Sequence, residues 1–258
     1  MVLRLVGSEM CIRDRAKYVA TSTLEAGLDV KSMSETSTKV FILEVMGRHA
    51  GWIAAASALA STNETDPPHI ILMPEVPFAK KKFIDKVKQT VANEGFCVVV
   101  ASEGTRYKNG MFLADSGLTD AFGHKQLGGV APVLAQMISS IGLKNHWAVS
   151  DYLQRSARHI SSKTDLDQAY AVGKKAVEFA LAGKNAVMPV IKRLSDKPYK
   201  WKIESASLSK VANVEKTLPK GYISKDGFRI TDKGLNYLRP LIQGCLLYTS
   251  PSPRDVVP

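Results

Sequence analysis

Short β-branched runs alternate with longer helical segments along most of this chain, and the alternation limits the folds open to it. The runs read as buried strands because Val, Ile, Phe and Leu fill them. Strands are predicted at residues 39–45, 69–76, 96–104 and 185–194, and helices at 51–61, 81–95, 129–142 and 165–183. Alternation of this kind predicts right-handed βαβ units, and therefore an α/β three-layer sandwich with a mainly parallel sheet.

Local signals refine this pattern. Residues 103–128 have weak periodicity and several glycines, which predicts a long loop near the carboxyl edge of the sheet, where ligands usually bind. The helix at 165–183 is predicted to be capped by Thr164 and closed by Gly183. A further helix is expected from Thr231.

Composition favours a cytoplasmic protein. The hydrophobic share of 45% and the charged share of 23% are ordinary, and no run approaches the roughly 20 apolar residues needed to span a bilayer. Cys11, Cys97 and Cys245 form neither a CxxC pair nor a disulfide framework, which fits a reducing compartment. We therefore expect no membrane partner and a cytoplasmic location.

The net charge of +11 raises the possibility of an anionic partner. The densest basic cluster comprises Lys80, Lys81, Lys82, Lys86 and Lys88. Its helical spacing favours a solvated helix face, and we do not expect a nucleic-acid partner. A positive field around a cleft would equally concentrate phosphorylated small molecules. Charge alone does not separate these interpretations.

The two ends of the chain do not continue the patterns beside them. Residues 1–15 (MVLRLVGSEMCIRDR) and 244–258 (GCLLYTSPSPRDVVP) resemble translated sequencing-adapter read-through, so both are set aside as non-native. The alternative is a natural pair of disordered termini. The remainder is divided into an α/β domain at 16–160 and, at 161–243, a returning segment followed by C-terminal helices.

The most informative motif is EVMGRHAGW (44–52), placed where a predicted strand ends and a helix begins. In a parallel sheet this is the ligand-facing edge, and free N–H groups at a helix start favour an anion. Gly47 permits close backbone approach, and the planar guanidinium of Arg48 suits a phosphate or a sugar hydroxyl. A plain structural turn remains an alternative interpretation.

Three motifs together carry a resemblance to a known family. MGRHAGW (46–52) resembles the fructose-6-phosphate-binding segment of phosphofructokinases, and its HAGW ending is similar to the pyrophosphate-dependent branch. Glu103 follows VVVAS where the family places the glutamate that holds sugar hydroxyls. Tyr152 and Arg155 match the family's YxxR pair, with tyrosine where ATP-dependent bacterial relatives have histidine. The likeness covers essentially residues 16–243.

The resemblance implies a set of substrate-binding residues. They are Met46, Gly47, Arg48, Glu103, Tyr152 and Arg155. Physical chemistry agrees, because residues three apart on a helix share a face and an arginine fork matches two phosphate oxygens. A carboxylate accepts hydrogen bonds only, so Glu103 would orient hydroxyls. The alternative places Arg155 and Glu103 in surface ion pairs and Tyr152 in a packing role.

Two motifs of the resembled family do not occur here. Its catalytic base is an aspartate in a TIDND-like motif, and its donor rests on a Gly-Gly-Asp loop. Residues 16–30 resemble the helix that follows the base segment, so the chain is expected to lack an N-terminal part. Catalytic residues and metal ligands are therefore expected to be absent from this chain. The isolated chain is expected to expose an apolar sheet edge.

For the full-length protein the resemblance implies a Mg²⁺-requiring transferase. It would convert fructose 6-phosphate and pyrophosphate reversibly to fructose 1,6-bisphosphate in glycolysis, as a homo-oligomer in which Lys39 reaches a neighbouring subunit's sugar phosphate. Three alternatives remain open at this stage. They are an ATP-dependent 6-phosphofructokinase, a non-catalytic sugar-phosphate-binding module and a basic nucleic-acid binder.

Overall fold

A parallel four-stranded sheet forms the centre of the fold in the computed structural model, which describes residues 12–63, 65–119, 125–127, 129–212 and 214–244. The strand order is β2-β3-β1-β6, with every pairing parallel. These strands are β1 (Val40–Val45), β2 (Ile70–Leu72), β3 (Cys97–Ser102) and β6 (Asn145–Val149). In register, Val40 lies opposite both Cys97 and Asn145. The carboxyl ends of β1, β3 and β6 therefore meet at one edge.

Helices cover both faces of this sheet. The α-helices are α1 (Ile12–Met33), α2 (Trp52–Ala56), α3 (Lys80–Glu94), α4 (Val130–Ser139), α5 (Leu153–Ser156), α6 (Lys163–Leu181), α7 (Leu208–Val211) and α8 (Asp232–Leu238). Short 3₁₀ turns occupy Ser57–Ala60, Arg158–Ile160, Lys220–Tyr222 and Arg239–Ile242. No helix within the described ranges has the length and apolarity to cross a bilayer.

Alternation along β1 divides the core in two. Ile42 packs with Phe83 of α3 and Leu134 of α4 on one face. Its neighbour Leu43 packs with Val19 of α1 and Ile53 of α2 on the other face. Successive strand side chains point to opposite faces, so one strand supplies both cores. The predicted three-layer α/β architecture is confirmed.

The strand β6 was not predicted from its sequence, NHWAV. It lies at the edge of the sheet, and Trp147 and Val149 are 47% and 40% exposed. An edge strand with exposed side chains lacks the continuous apolar run that marks a buried parallel strand. Within the described residues its one strand partner is β1. The expected apolar edge is present.

Two antiparallel pairs lie outside the main sheet. The strand β7 (Val187–Asp196) forms a hairpin with β8 (Tyr199–Ser207), and Val172 of α6 packs on Ile191. A second pair, β4 (Asp115–Thr119) with β5 (Lys125–Leu127), occupies part of 103–128. The expectation of one long loop there was therefore wrong. The sequences of β4 and β5 contain no apolar run, whereas β7 begins with VMPVI and was predicted as a strand.

The predicted start of α6 needs one correction. Its N-cap is Ser162, whose hydroxyl accepts the Asp165 N–H at 3.3 Å, and Thr164 lies inside the helix. Ser162 has the extended backbone that a capping residue requires. Gly183 closes the helix in the left-handed region as predicted, with φ +67°. The helix expected from Thr231 is α8, and Thr231 caps it by accepting the Gly234 N–H.

The lysine-rich helix α3 confirms the interpretation of its basic cluster. Lys80, Lys81 and Lys88 are exposed, while Phe83 and Val87 on the opposite side are buried. Such an arrangement is an ordinary amphipathic helix with a solvated basic face.

A buried histidine directly precedes β2 and is hydrogen-bonded to β3. His69 is 1% exposed, and its Nδ1 accepts the Val98 N–H at 2.9 Å. In a neutral imidazole the proton must then sit on Nε2, which lies 3.2 Å from the Thr65 carbonyl. The ring packs edge-on against Phe96 at 5.0 Å. This environment requires the neutral form.

We expect this histidine to make stability depend on pH. Burial lowers the pKa of His69 to about 4, with Arg229 and Lys86 adding to the effect while Thr65 and Asp66 oppose it. Above its ordinary value of 6.5 both states are neutral and stability is complete. Below 6.5 the unfolded state gains the proton first, which costs about 2 kcal/mol by roughly pH 5.

Urea unfolding of wild type and His69→Asn between pH 7.5 and 5 measures this dependence. Asparagine keeps an acceptor for the Val98 N–H but does not titrate. Between pH 7.5 and 5 the variant should therefore lose about 2 kcal/mol less unfolding free energy than wild type does. Equal pH slopes in the two proteins would contradict the assignment.

Candidate functional site

The loop at 46–52 joins the end of β1 to α2 at the carboxyl edge of the sheet. Beyond the end of each of the other three strands, one side chain accepts a hydrogen bond from a backbone N–H of this loop. Gln154, after β6, accepts from Met46 at 3.4 Å, and Glu103, after β3, accepts from Gly47 at 3.1 Å. Glu75, after β2, accepts from Gly51 with both oxygens, at 3.0 and 3.2 Å. Three strands therefore fix one loop.

Gly47 is required by the backbone of this loop. Its φ of +143° lies where side chains are rarely tolerated, and an added Cβ would lie 2.8 Å from both Ala50 O and Ser102 Oγ. The Ser102 hydroxyl donates a hydrogen bond to the Gly47 carbonyl. The close approach that the sequence predicted at Gly47 is confirmed, and the groups that approach are the chain's own.

Arg48 and His49 lie at the middle of the loop. The Arg48 carbonyl accepts from Arg106 Nη2 at 3.1 Å, and the Arg48 side chain is half-buried. His49 is exposed, with Nδ1 3.9 Å from a Glu215 oxygen. Neither Arg48 nor Arg155 forms an ion pair within the described residues.

Tyr152 and Arg155 share one side of the turn that follows β6. The Arg155 guanidinium carbon lies 5.2 Å from the centre of the Tyr152 ring. Tyr152 is 68% exposed and has no packing role. The Glu103 carboxylate is bound to a backbone N–H instead of a cation. The alternative of surface ion pairs and a packed tyrosine is therefore not what the described residues show.

Gln154 is a residue that sequence reasoning missed. It is 2% exposed, its Oε1 accepts from Met46, and its Nε2 donates to the Asp151 carbonyl at 3.0 Å. One amide thus ties the tyrosine–arginine turn to the glycine–arginine loop. A buried amide can donate and accept at once, and no spacing in the sequence signals this use.

Glu44 is a second missed residue, although it belongs to the motif. It is 5% exposed, and Oε2 accepts the Ala131 N–H at the start of α4 at 2.7 Å. Burial raises the pKa of Glu44, the backbone N–H groups of Ala131 and Val130 oppose that rise, and the charges of Glu103 and Asp151 add to it. Glu44 therefore fixes the start of α4 to the end of β1.

We expect opposite outcomes from two substitutions at Glu44. Glu44→Ala leaves the Ala131 N–H buried without an acceptor and should cost about 1–3 kcal/mol of unfolding free energy. Glu44→Gln keeps an acceptor. Because the folded pKa is raised, ionisation destabilises the fold as pH increases, and glutamine removes that effect. Urea unfolding at pH 8 should therefore rank Glu44→Gln at or above wild type. Equal destabilisation by both would contradict this role.

Across the described ranges, no three histidine, cysteine, aspartate or glutamate side chains are grouped so as to hold a metal ion. The arrangement is instead suited to binding, because guanidinium groups, a carboxylate and a phenol follow adjacent strand ends.

Comparison with known proteins agrees with this geometry. Residues 18–180 match the family model described as phosphofructokinase. This chain belongs to the phosphofructokinase family. It is 64% identical over 230 residues to a pyrophosphate--fructose 6-phosphate 1-phosphotransferase of Halomonas elongata, covering 89% of this chain and 55% of that relative. The chain thus spans about half the length of the curated relatives it matches.

Solved structures and more distant relatives place the chain within the phosphofructokinase family. The crystal structure of a pyrophosphate-dependent phosphofructokinase from Marinobacter aquaeolei is 58% identical, with a TM-score of 0.80 over 90% of this chain and 55% of that one. An ATP-dependent 6-phosphofructokinase 3 from Streptomyces coelicolor is 31% identical over 210 residues. The resemblance to the pyrophosphate-dependent branch is confirmed.

Proposed function

We propose that this chain is the fructose-6-phosphate-binding part of a pyrophosphate-dependent phosphofructokinase. The whole protein would move a phosphoryl group from pyrophosphate to the 1-hydroxyl of fructose 6-phosphate, giving fructose 1,6-bisphosphate and inorganic phosphate. The observation that carries the proposal is the convergence of side chains from β2, β3 and β6 on the loop after β1. The proposal is also supported by the positions of the six predicted binding residues, each of which follows the end of β1, β3 or β6.

Each residue has a role that its chemistry supports. Arg155 and Arg48 would bind the sugar phosphate, because guanidinium forks match paired phosphate oxygens. Tyr152 would add a hydroxyl donor beside Arg155. Glu103 would orient sugar hydroxyls through the oxygen not used by the Gly47 N–H. Met46 and Gly47 would form the backbone wall of the site.

Sequence identity to the two kinds of relative favours pyrophosphate over ATP as the phosphoryl donor. The relative named for pyrophosphate is 64% identical, whereas the ATP-dependent relative is 31% identical. Tyr152 in place of histidine agrees with that choice. Assaying a longer form of the protein that includes the family's base and donor motifs, with each donor in turn, would decide between them.

The remaining features of the whole enzyme are part of the same proposal. They are Mg²⁺ as cofactor, with ligands supplied from outside the described residues, a homo-oligomeric state, and a glycolytic role in the cytoplasm. In this structure the Lys39 ammonium donates to the Ser34 carbonyl of its own chain. Its predicted reach to a neighbouring subunit would require that bond to open.

Calorimetric titration of the 258-residue chain tests the binding proposal. Fructose 6-phosphate should bind at one site per chain, and fructose should bind at least about 100-fold more weakly, because charge-assisted bonds to phosphate supply most of the affinity. Equal binding of the two sugars, or no binding of fructose 6-phosphate, would refute it.

A further inference from the structure

Glu75 joins two distant parts of the chain. Besides both bonds from Gly51, its Oε1 accepts the Leu218 N–H at 2.8 Å, from a residue 143 positions further on. Hydrogen bonds to an ionised carboxylate are roughly twice as strong as neutral ones. The start of α2 and the C-terminal segment therefore share one anchor.

The segment at 215–218 lies along the outside of the loop. Trp52 Nε1 donates to the Lys216 carbonyl at 2.7 Å, and Glu215 lies 3.9 Å from His49. Leu218 is 3% exposed and packs in the core with Ile53. Three of the four residues of this segment thus contact the loop, or the residues that anchor it, between His49 and Trp52.

The anchor at Gly51 leaves little freedom. An added Cβ there would lie 2.8 Å from Glu75 Oε2 and 3.0 Å from the Met73 side chain. The carboxylate approaches the backbone as closely as glycine permits. A shift of Glu75 must therefore move the backbone of the loop, or break its hydrogen bonds.

We propose that Glu75 is a positioning residue for the sugar-phosphate loop, and that segment 215–218 is coupled to that loop through it. Arg48 lies between the anchors at Gly47 and Gly51, so both anchors determine where its guanidinium can reach. Binding at the loop then tightens the C-terminal segment. The inference rests on the function proposed above, which supplies the ligand.

Substitutions at Glu75 test the positioning role. Glu75→Ala should weaken fructose-6-phosphate binding about tenfold, because it releases Gly51 and Leu218 together. Glu75→Gln should bind within about threefold of wild type, since one amide oxygen can accept from both N–H groups. Glu94→Ala, at an exposed position on α3, is the matched control and should bind as wild type does.

If circular dichroism shows that Glu75→Ala does not fold, Glu75→Asp replaces it. The shorter side chain cannot span both N–H groups and should show a similar tenfold loss. Binding within about threefold of wild type by the alanine or the aspartate variant would overturn the positioning role.

Amide hydrogen exchange tests the coupling without any activity measurement. In wild type, fructose 6-phosphate should slow exchange at Gly51 and at Leu218 alike. Protection of Gly51 with Leu218 unchanged would overturn the coupling. Exchange at both amides should be faster in Glu75→Ala without ligand, and unchanged exchange would overturn the anchor itself. If wild type binds no fructose 6-phosphate, the proposed function fails. The comparison of wild type with Glu75→Ala without ligand still tests whether Glu75 anchors Gly51 and Leu218.

Discussion

The 258-residue chain is expected to bind fructose 6-phosphate and to transfer no phosphoryl group to it, from pyrophosphate or from ATP. The base aspartate and the Gly-Gly-Asp donor loop of the resembled family do not occur in its sequence. A general base contributes roughly 10²–10⁴-fold to a rate, and charge stabilisation of the reacting group about 10²–10³-fold more. Their combined loss places turnover below detection.

A coupled assay for fructose 1,6-bisphosphate, with magnesium present, measures this outcome. The Halomonas elongata relative, assayed in parallel, is the positive control. Calorimetry on the same preparation must show sugar-phosphate binding, so that inactivity is not confused with misfolding. Turnover above background with either donor would show that residues of this chain perform the missing roles.

Replacing Arg155 by alanine is expected to weaken fructose-6-phosphate binding about 100-fold. Two charge-assisted hydrogen bonds would be lost, and such bonds contribute about 1.5–3 kcal/mol each, less the overlap between them. Arg155→Lys should lose about tenfold, because an ammonium keeps the charge but not the planar fork. Unfolding free energy should change little, since Arg155 is exposed and forms no ion pair in the described part of the chain.

Calorimetric titration of the variants with fructose 6-phosphate measures the ranking. Arg239→Ala removes another exposed arginine, from the C-terminal 3₁₀ turn, and controls for the change in net charge. If Arg155→Ala binds within about threefold of wild type, or if Arg239→Ala is equally impaired, Arg155 does not bind the phosphate.

Sequence patterns alone predicted β1, β2 and β3 and the helices α2, α3 and α4 that pack on them, whereas α1 was anticipated only through the family resemblance. Periodicity found β1, β2 and β3 because each is buried on both faces and therefore reads as a continuous apolar run. The strand β6 was missed for the converse reason: it is an edge strand with exposed side chains. The predicted Thr164 cap was wrong by two residues, because Ser162 and Thr164 both carry a hydroxyl and only backbone geometry separates them.

The motifs likewise indicated the six residues that we propose bind the sugar phosphate. Their spacing could not show that Gln154, inside the YxxR motif, and Glu75, outside all three motifs, hold the loop, because these bonds join positions 108 and 24 residues away from their partners.

What the sequence by itself determined is therefore the family, the α/β layers and the identity of the groups that would meet a sugar phosphate. The tertiary structure alone decided which side chains anchor the loop that carries these groups, and which of the groups form no ion pair among the described residues. Local pattern encodes burial and chemical type, whereas the pairing of a side chain with a distant backbone N–H depends on strand order and register. Strand order places the ends of β2, β3 and β6 around the loop after β1, and no local pattern contains that information.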